Sequence, residues 1–193
     1  MQNRFDKETH TYYINEIPVP SITQLIPKQE FFVSSERLEE TRKEGEDNHS
    51  LIKMYLDTEE IFNEPMLFAL DILLKEKEKE FGKKILWETP LYSTRHLFAG
   101  TADLIMENAI IDFKRSFSNK YYHSLQLAGQ YILSQENNII PDTKNWHIAF
   151  YQNSKFKLKP VYHPDAKTMF LKLVDKYYID QSINKYLKGE VDG

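Results

Sequence analysis

Two isoleucines in succession, Ile110 and Ile111, sit inside the short apolar run Ala109–Lys114. Side chains alternate between the faces of a strand. A strand with large apolar residues at consecutive positions is therefore buried on both faces, and something must cover each side. That requirement sets the expected architecture: a central sheet with helices against it. The flanking periodicities supply them. Ser35–Leu56 reads as a long helix in which Leu38, Arg42, Gly45, His49, Ile52 and Leu56 share one face. A second helix is expected over Thr58–Lys77, with Lys75–Glu80 as a solvated, ion-paired stretch. Strands follow at Ile85–Tyr92, Leu97–Met106 and Ala109–Lys114, with Glu107-Asn108 as the turn between the last two. Tyr122–Gln135 reads as a helix, Trp146–Tyr151 and Phe156–Tyr162 as strands, and a final helix starts near Asp165. Its apolar stripe (Met169, Phe170, Leu173, Val174, Tyr177, Tyr178) is expected to pack on the core. Ahead of all this, Thr11–Ile14 reads as a strand, Asn15-Glu16 as a turn and Ile17–Pro20 as extended chain. Ser21 is expected to cap a short helix through Leu25. The order gives an α/β fold, a mixed sheet flanked by helices.

At 193 residues, with 41% hydrophobic and 28% charged residues, the chain suits one domain with one core. Its expected segments are an N-terminal strand-and-turn region (1–34), helices (35–80), a sheet with a helix (81–162) and a terminal helix (163–193). There is no cysteine, which excludes disulfides, zinc–thiolate sites and cysteine-held iron–sulfur clusters. No apolar run approaches membrane-span length, and the polar start, with Asp6 and Glu8, does not read as a targeting peptide. The expectation is a soluble protein of the cytoplasm with no membrane partner. The net charge of −4 disfavours a broad electrostatic grip on duplex nucleic acid.

The chemistry concentrates in Gly100-Thr-Ala-Asp103 and Ile111-Asp112-Phe113-Lys114. Paired strands lie about 5 Å apart, so carboxylates on neighbouring strands can meet at one hard cation. Asp112 and Lys114 are two residues apart and project from the same face, while Phe113 points into a core and leaves its carbonyl available. Phosphodiester hydrolysis uses such a set: carboxylates for a divalent cation, and a lysine for the water or the developing charge. By themselves the same residues also describe a surface hairpin with an Asp–Lys pair.

Gly100-x-x-Asp103, Asp112-x-Lys114 and Gln126 resemble the successive motifs of RecB-like PD-(D/E)XK nucleases. Lys43–His49 is similar to that family's upstream Gly-x-x-x-His helix. Tyr12–Asn15 and Val19–Thr23 resemble the opening of its phage-encoded members and of the mitochondrial genome maintenance exonuclease. The resemblance implies a restriction-endonuclease-like core and a cytoplasmic enzyme of a bacterial or phage-infected cell. Asp103, Asp112, Lys114 and Gln126 would be catalytic. His49, Asp103, Asp112 and the Phe113 carbonyl would hold Mg²⁺ or Mn²⁺, two ions per site, with Glu88 as a further acid. It implies DNA as partner, single-stranded or with free ends, alongside a recombination or replication protein. Gly45 would allow close approach of the His49 helix to the sheet. Where the family places a tyrosine four residues after the glutamine, this chain has Gln130, followed by Tyr131. Lys114, Arg115 and Lys120 around Phe117, Tyr121 and Tyr122 suit a single strand, with bases stacked and phosphates paired; Gln130 and Tyr131 join that expected interface. The competing functions are an endonuclease of restriction or repair type and an inactive binding or scaffold protein that kept the fold.

Overall fold

The computed structural model describes residues 2–27, 35–140 and 142–188, without the side chains of residues 35–42, 44 and 46. Leu38 and Arg42 of the expected helix face thus lie outside the described side chains.

The chain opens with a small antiparallel sheet of β1 (Asn3–Asp6), β2 (Thr11–Ile14) and β3 (Ile17–Val19). Asn15 and Glu16 both take positive φ, 50° and 62°, and pair Ile14 with Ile17 across a two-residue turn. That backbone twist suits a tight hairpin. β1 is an addition to the sequence reading, which took this segment as a polar end. Ser21 caps α1 (Ile22–Leu25) through a reciprocal capping box with Gln24.

The main sheet has five strands in the order β4 (Lys84–Ser93), β5 (Phe98–Met106), β6 (Ala109–Phe113), β7 (Trp146–Gln152) and β8 (Lys155–Pro160). β6 and β7 run parallel and the other neighbours antiparallel, so the sheet is mixed. The crossover between β6 and β7 carries α4 (Lys120–Glu136), capped by the Asn119 side chain on the amides of Tyr121 and Tyr122. α2 (Ser35–Thr58) and α3 (Pro65–Phe81) cover one face, and α4 with α5 (Ala166–Lys188) covers the other. Ile110 packs on the α4 side and Ile111 on the α2–α3 side, both fully buried, as their adjacency requires.

Two boundaries and one helix face differ from expectation. α3 starts at Pro65 rather than near Thr58, because Glu59, Phe62 and Asn63 hold positive φ and break the helix before the proline. It runs on to Phe81, which is fully buried. In α5 only Phe170 and Val174 of the stripe are buried, while Met169 is 53% exposed. The stripe is wider than the face that α4 can cover.

Two glycines allow α1 to seat. A Cβ on Gly100 would stand 2.6 Å from Ile22 Cδ1, and one on Gly129 would stand 2.8 Å from Phe170 and 3.0 Å from Ile22. β5 and α4 thus close on Ile22 at both glycines, with Ala99 N donating to Pro20 O at 3.0 Å. Gly45 has no such role: a Cβ there meets no described atom within 4 Å, which corrects the expected close approach.

Candidate metal centre

Three acids form a row across β4, β5 and β6. The pairs Trp87↔Leu104 and Thr89↔Ala102 put Glu88 opposite Asp103, and Leu104↔Ile111 continues to Asp103 opposite Asp112. Directly opposed residues share a face, but here the facing changes within the row. Leu104 packs against α2–α3 and Ile105 against α4, yet Ala102, of Leu104's parity, also packs against the α4 side. The alternation of β5 slips at Asp103. Beside it Glu88 has φ of 44°, a costly value for a residue with a Cβ. The two irregularities lie across from each other. They turn the sheet so that the acids can be met from α2 on one side and from α4 on the other.

From α2, the His49 ring reaches the sheet. Its Nε2 lies 3.1 Å from the Phe113 carbonyl, and its Nδ1 lies 3.5 Å from Glu88 Oε1 and 3.9 Å from Asp103 Oδ2. His49, Glu88 and Asp103 each offer a ligand atom within 4.8 Å of the other two, so the group could bind a metal ion. Imidazole and carboxylate donors with a carbonyl nearby fit a small divalent cation better than a soft one. Asp103 Oδ2 also accepts from the Phe113 amide at 2.8 Å, which fixes the carboxylate. Glu88, an accessory acid in the sequence reading, belongs to the group.

From α4, two amides hold Asp112. Gln126 Nε2 donates to Asp112 Oδ1 at 2.9 Å and Gln130 Nε2 to the same oxygen at 3.2 Å. Asp112 Oδ2 lies 2.5 Å from Lys114 Nζ. The carboxylate is fully buried: Oδ1 takes both amides, while Oδ2 has the Lys114 ion pair and no hydrogen bond. It stands beside the group of His49, Glu88 and Asp103 whose ligand atoms meet.

The charges act on one another. Hydrogen bonding to Glu88 raises the His49 pKa to about 9, against the cost of burial, with the Asp103 charge adding to the rise. Burial, then the nearby Asp112 charge, raises Asp103 to about 7. For Lys114 burial works toward a lower pKa, but Asp112 and Asp103 outweigh it and hold the ammonium above its ordinary value. Lys114 therefore stays a cation.

The other expected site residues divide. Gln130, expected at a nucleic-acid interface, is instead 2% exposed on Asp112. Its spacing of four from Gln126, which stacks the two on one helix face, was the available signal. Tyr131 is also corrected: it is buried against Trp146, gives its hydroxyl to Asp142 and faces the core. Phe117 stacks on His123 and Phe150, and Tyr122 is half-buried against the same cluster, so both are packing residues first. Tyr121 is 67% exposed, and Arg115 and Lys120 are exposed. Arg115 and Lys114 border a cavity of about 320 Å³ with His49, Asn48 and Tyr151.

No protein family and no curated relative matches the sequence. A solved structure titled "Crystal structure of SSO0001" is similar at 13% identity and a TM-score of 0.38, covering 69% of this chain and 71% of that one. No helix among the described residues is long and apolar enough to cross a membrane.

Proposed function

We propose that this chain is a metal-dependent nuclease with a PD-(D/E)XK core, hydrolysing phosphodiester bonds in DNA and favouring single strands or free ends. The observation that carries the reading is the convergence, across β4, β5 and β6, of His49, Glu88 and Asp103 with the Asp112–Lys114 pair. A hairpin with only an incidental Asp–Lys pair has no use for a histidine brought in from a distant helix. It has none for two buried amides trained on one carboxylate oxygen either.

His49, Glu88 and Asp103 would hold Mg²⁺ or Mn²⁺, with the Phe113 carbonyl beside them. When bound, the cation supplies Lewis acidity toward a phosphoryl oxygen and a lowered water pKa. The chain's own residues do the rest. Gln126 and Gln130 orient Asp112, and Asp112 positions the Lys114 ammonium. Lys114, kept protonated by its acid neighbours, offers its charge to the attacking water and to the oxygens on which charge develops. His49 must give up a proton to serve as a ligand, since donation from both ring nitrogens belongs to the imidazolium.

The preference for single strands rests on the acidic net charge, which disfavours the broad positive surface that duplex binding uses. Digestion of end-labelled linear single strands, circular single strands and blunt duplex, at matched ionic strength with Mg²⁺ or Mn²⁺, tests it. Linear single strands should disappear first and circles should survive. Equal loss of circles marks an endonuclease, faster loss of duplex removes the single-strand preference, and no cleavage of any substrate removes the nuclease reading.

A further inference from the structure

A cavity of about 500 Å³ borders the acid row, and none of the residues of the Arg115–Tyr122 stretch lines it. It opens between the row and the N-terminal sheet. Glu88, Asp103, Gln126 and Gln130 form one end, and Phe5, Lys7, His10 and Tyr12 form the other, with Thr101 and Lys53 between. Its size lies within the range of ligand sites, roughly 300–1,000 Å³.

The far end has two properties that the near end lacks. It is aromatic: Phe5 and Tyr12 stack with centroids 4.6 Å apart, and His10 stands edge-on to both at 5.1 and 5.9 Å. It also carries available positive charge. Lys7 is exposed and has no ion pair among the described residues, whereas Lys53 is engaged by Asp57 at 2.8 Å. His10 sits at the β1–β2 turn with φ of 52°, which turns its ring back over the sheet. The Tyr12 hydroxyl is anchored to Thr101 Oγ1 at 2.9 Å, which ties this end to β5 two residues before Asp103.

We infer that the cavity between the N-terminal sheet and the acid row receives the nucleotides of a single strand next to the scissile bond. Lys7 contacts a phosphate there, and the exposed face of the His10 ring stacks a base. The inference rests on the nuclease reading and assigns the strand a path different from the one the Arg115–Tyr122 stretch implies. The chemistry matches what single strands need: an exposed ring for an unpaired base and a cation for the backbone. Continuity is the strongest argument, because the same cavity is lined by Glu88 and Asp103, two of the residues proposed to hold the metal.

The test is fluorescence anisotropy of a labelled oligothymidylate with the full-length chain across a salt series, alongside KM and kcat for its cleavage. Lys7→Ala should weaken binding at every salt concentration and lower the slope of log K against log salt by about 0.7, the release expected for one phosphate contact on a single strand. His10→Asn keeps a residue that tolerates positive φ and removes the ring. It should weaken binding about fivefold or more, the scale of one lost base stack. In both variants KM rises and kcat holds, because neither residue touches the acid row. Unchanged affinity in both variants, with cleavage intact, overturns the inference and leaves the nuclease reading standing. So does a loss of affinity produced by Lys120→Ala instead. If the unmodified chain neither binds nor cleaves the strand, inference and reading fall together.

Discussion

The two sides of the acid row are built to different tolerances. On the α4 side, Asp112 is fully buried with both oxygens engaged, by two amides at 2.9 and 3.2 Å and an ammonium at 2.5 Å. On the α2 side, His49 keeps 36% of its side chain exposed and Glu88 19%, and their shared contact is 3.5 Å. One side is held rigidly before any ligand arrives. The other is a set of donors at distances that a cation could shorten. Residues that act on the reaction need fixed positions, whereas residues that capture an ion must be reachable by it. For the proposed nuclease the difference predicts a division of labour, with turnover governed from α4 and metal affinity from α2.

The sharpest break in that division comes from Asp112→Asn. It removes the charge that positions Lys114 and should lower cleavage on the order of a thousandfold. The circular dichroism of the folded chain should persist with a lower Tm, since the Lys114 ammonium loses its partner. A well-folded Asn variant with normal rates would dissolve the comparison. Lys114→Ala should lower kcat by about a hundredfold and leave the metal concentration for half-maximal rate unchanged. A large shift in that midpoint with an unchanged rate at saturating metal would move Lys114 to the other side of the ledger.

The α2 side is expected to answer differently. Glu88→Gln should weaken metal binding at least tenfold, a scale on which even outer-shell losses act, with a smaller effect on kcat at saturating metal. Metal affinity should also fall as pH falls. His49, with its pKa raised to about 9, must lose a proton to bind, and Asp103, raised to about 7, must be ionised. Each proton displaced costs about tenfold in apparent affinity per pH unit. Between pH 8 and pH 6 calorimetry should therefore record weaker binding and proton release on binding. Affinity independent of pH over that range would mean that His49 is not a ligand. The smallest effect belongs to Gln130→Ala. It removes one amide of two from Asp112 Oδ1, a loss of about 1 kcal/mol, and should change kcat by only a few-fold while Gln126 remains.

Much of this arrangement can be read along the chain. The adjacent isoleucines dictate the doubly covered strand, the Asn15-Glu16 turn and the Ser21 cap follow from local rules, and the spacing of Asp112 and Lys114 places them on one face. The rest depends on distances between segments that sequence does not encode locally. β1 is hidden because Asn3-Arg-Phe-Asp6 has no β-branched residue and only one large apolar one. The slip at Asp103 and the positive φ at Glu88 break the alternation on which strand reading relies. Gln130 and Tyr131 look equally eligible for an interface, until α4 is turned so that one meets Asp112 and the other meets Trp146. The N-terminal aromatics acquire a site only when Pro20 and Ser21 bridge to Ala99 of β5 and Tyr12 meets Thr101.

The most direct test of a metal-dependent nuclease is the fate of an end-labelled linear single strand with Mn²⁺, with the unmodified chain and Asp103→Asn side by side. The unmodified chain should shorten the strand only while metal is present and stop on chelation, and Asp103→Asn should leave it at full length. An intact strand with the unmodified chain at every metal concentration, or equal shortening by the Asn variant, would contradict the assignment.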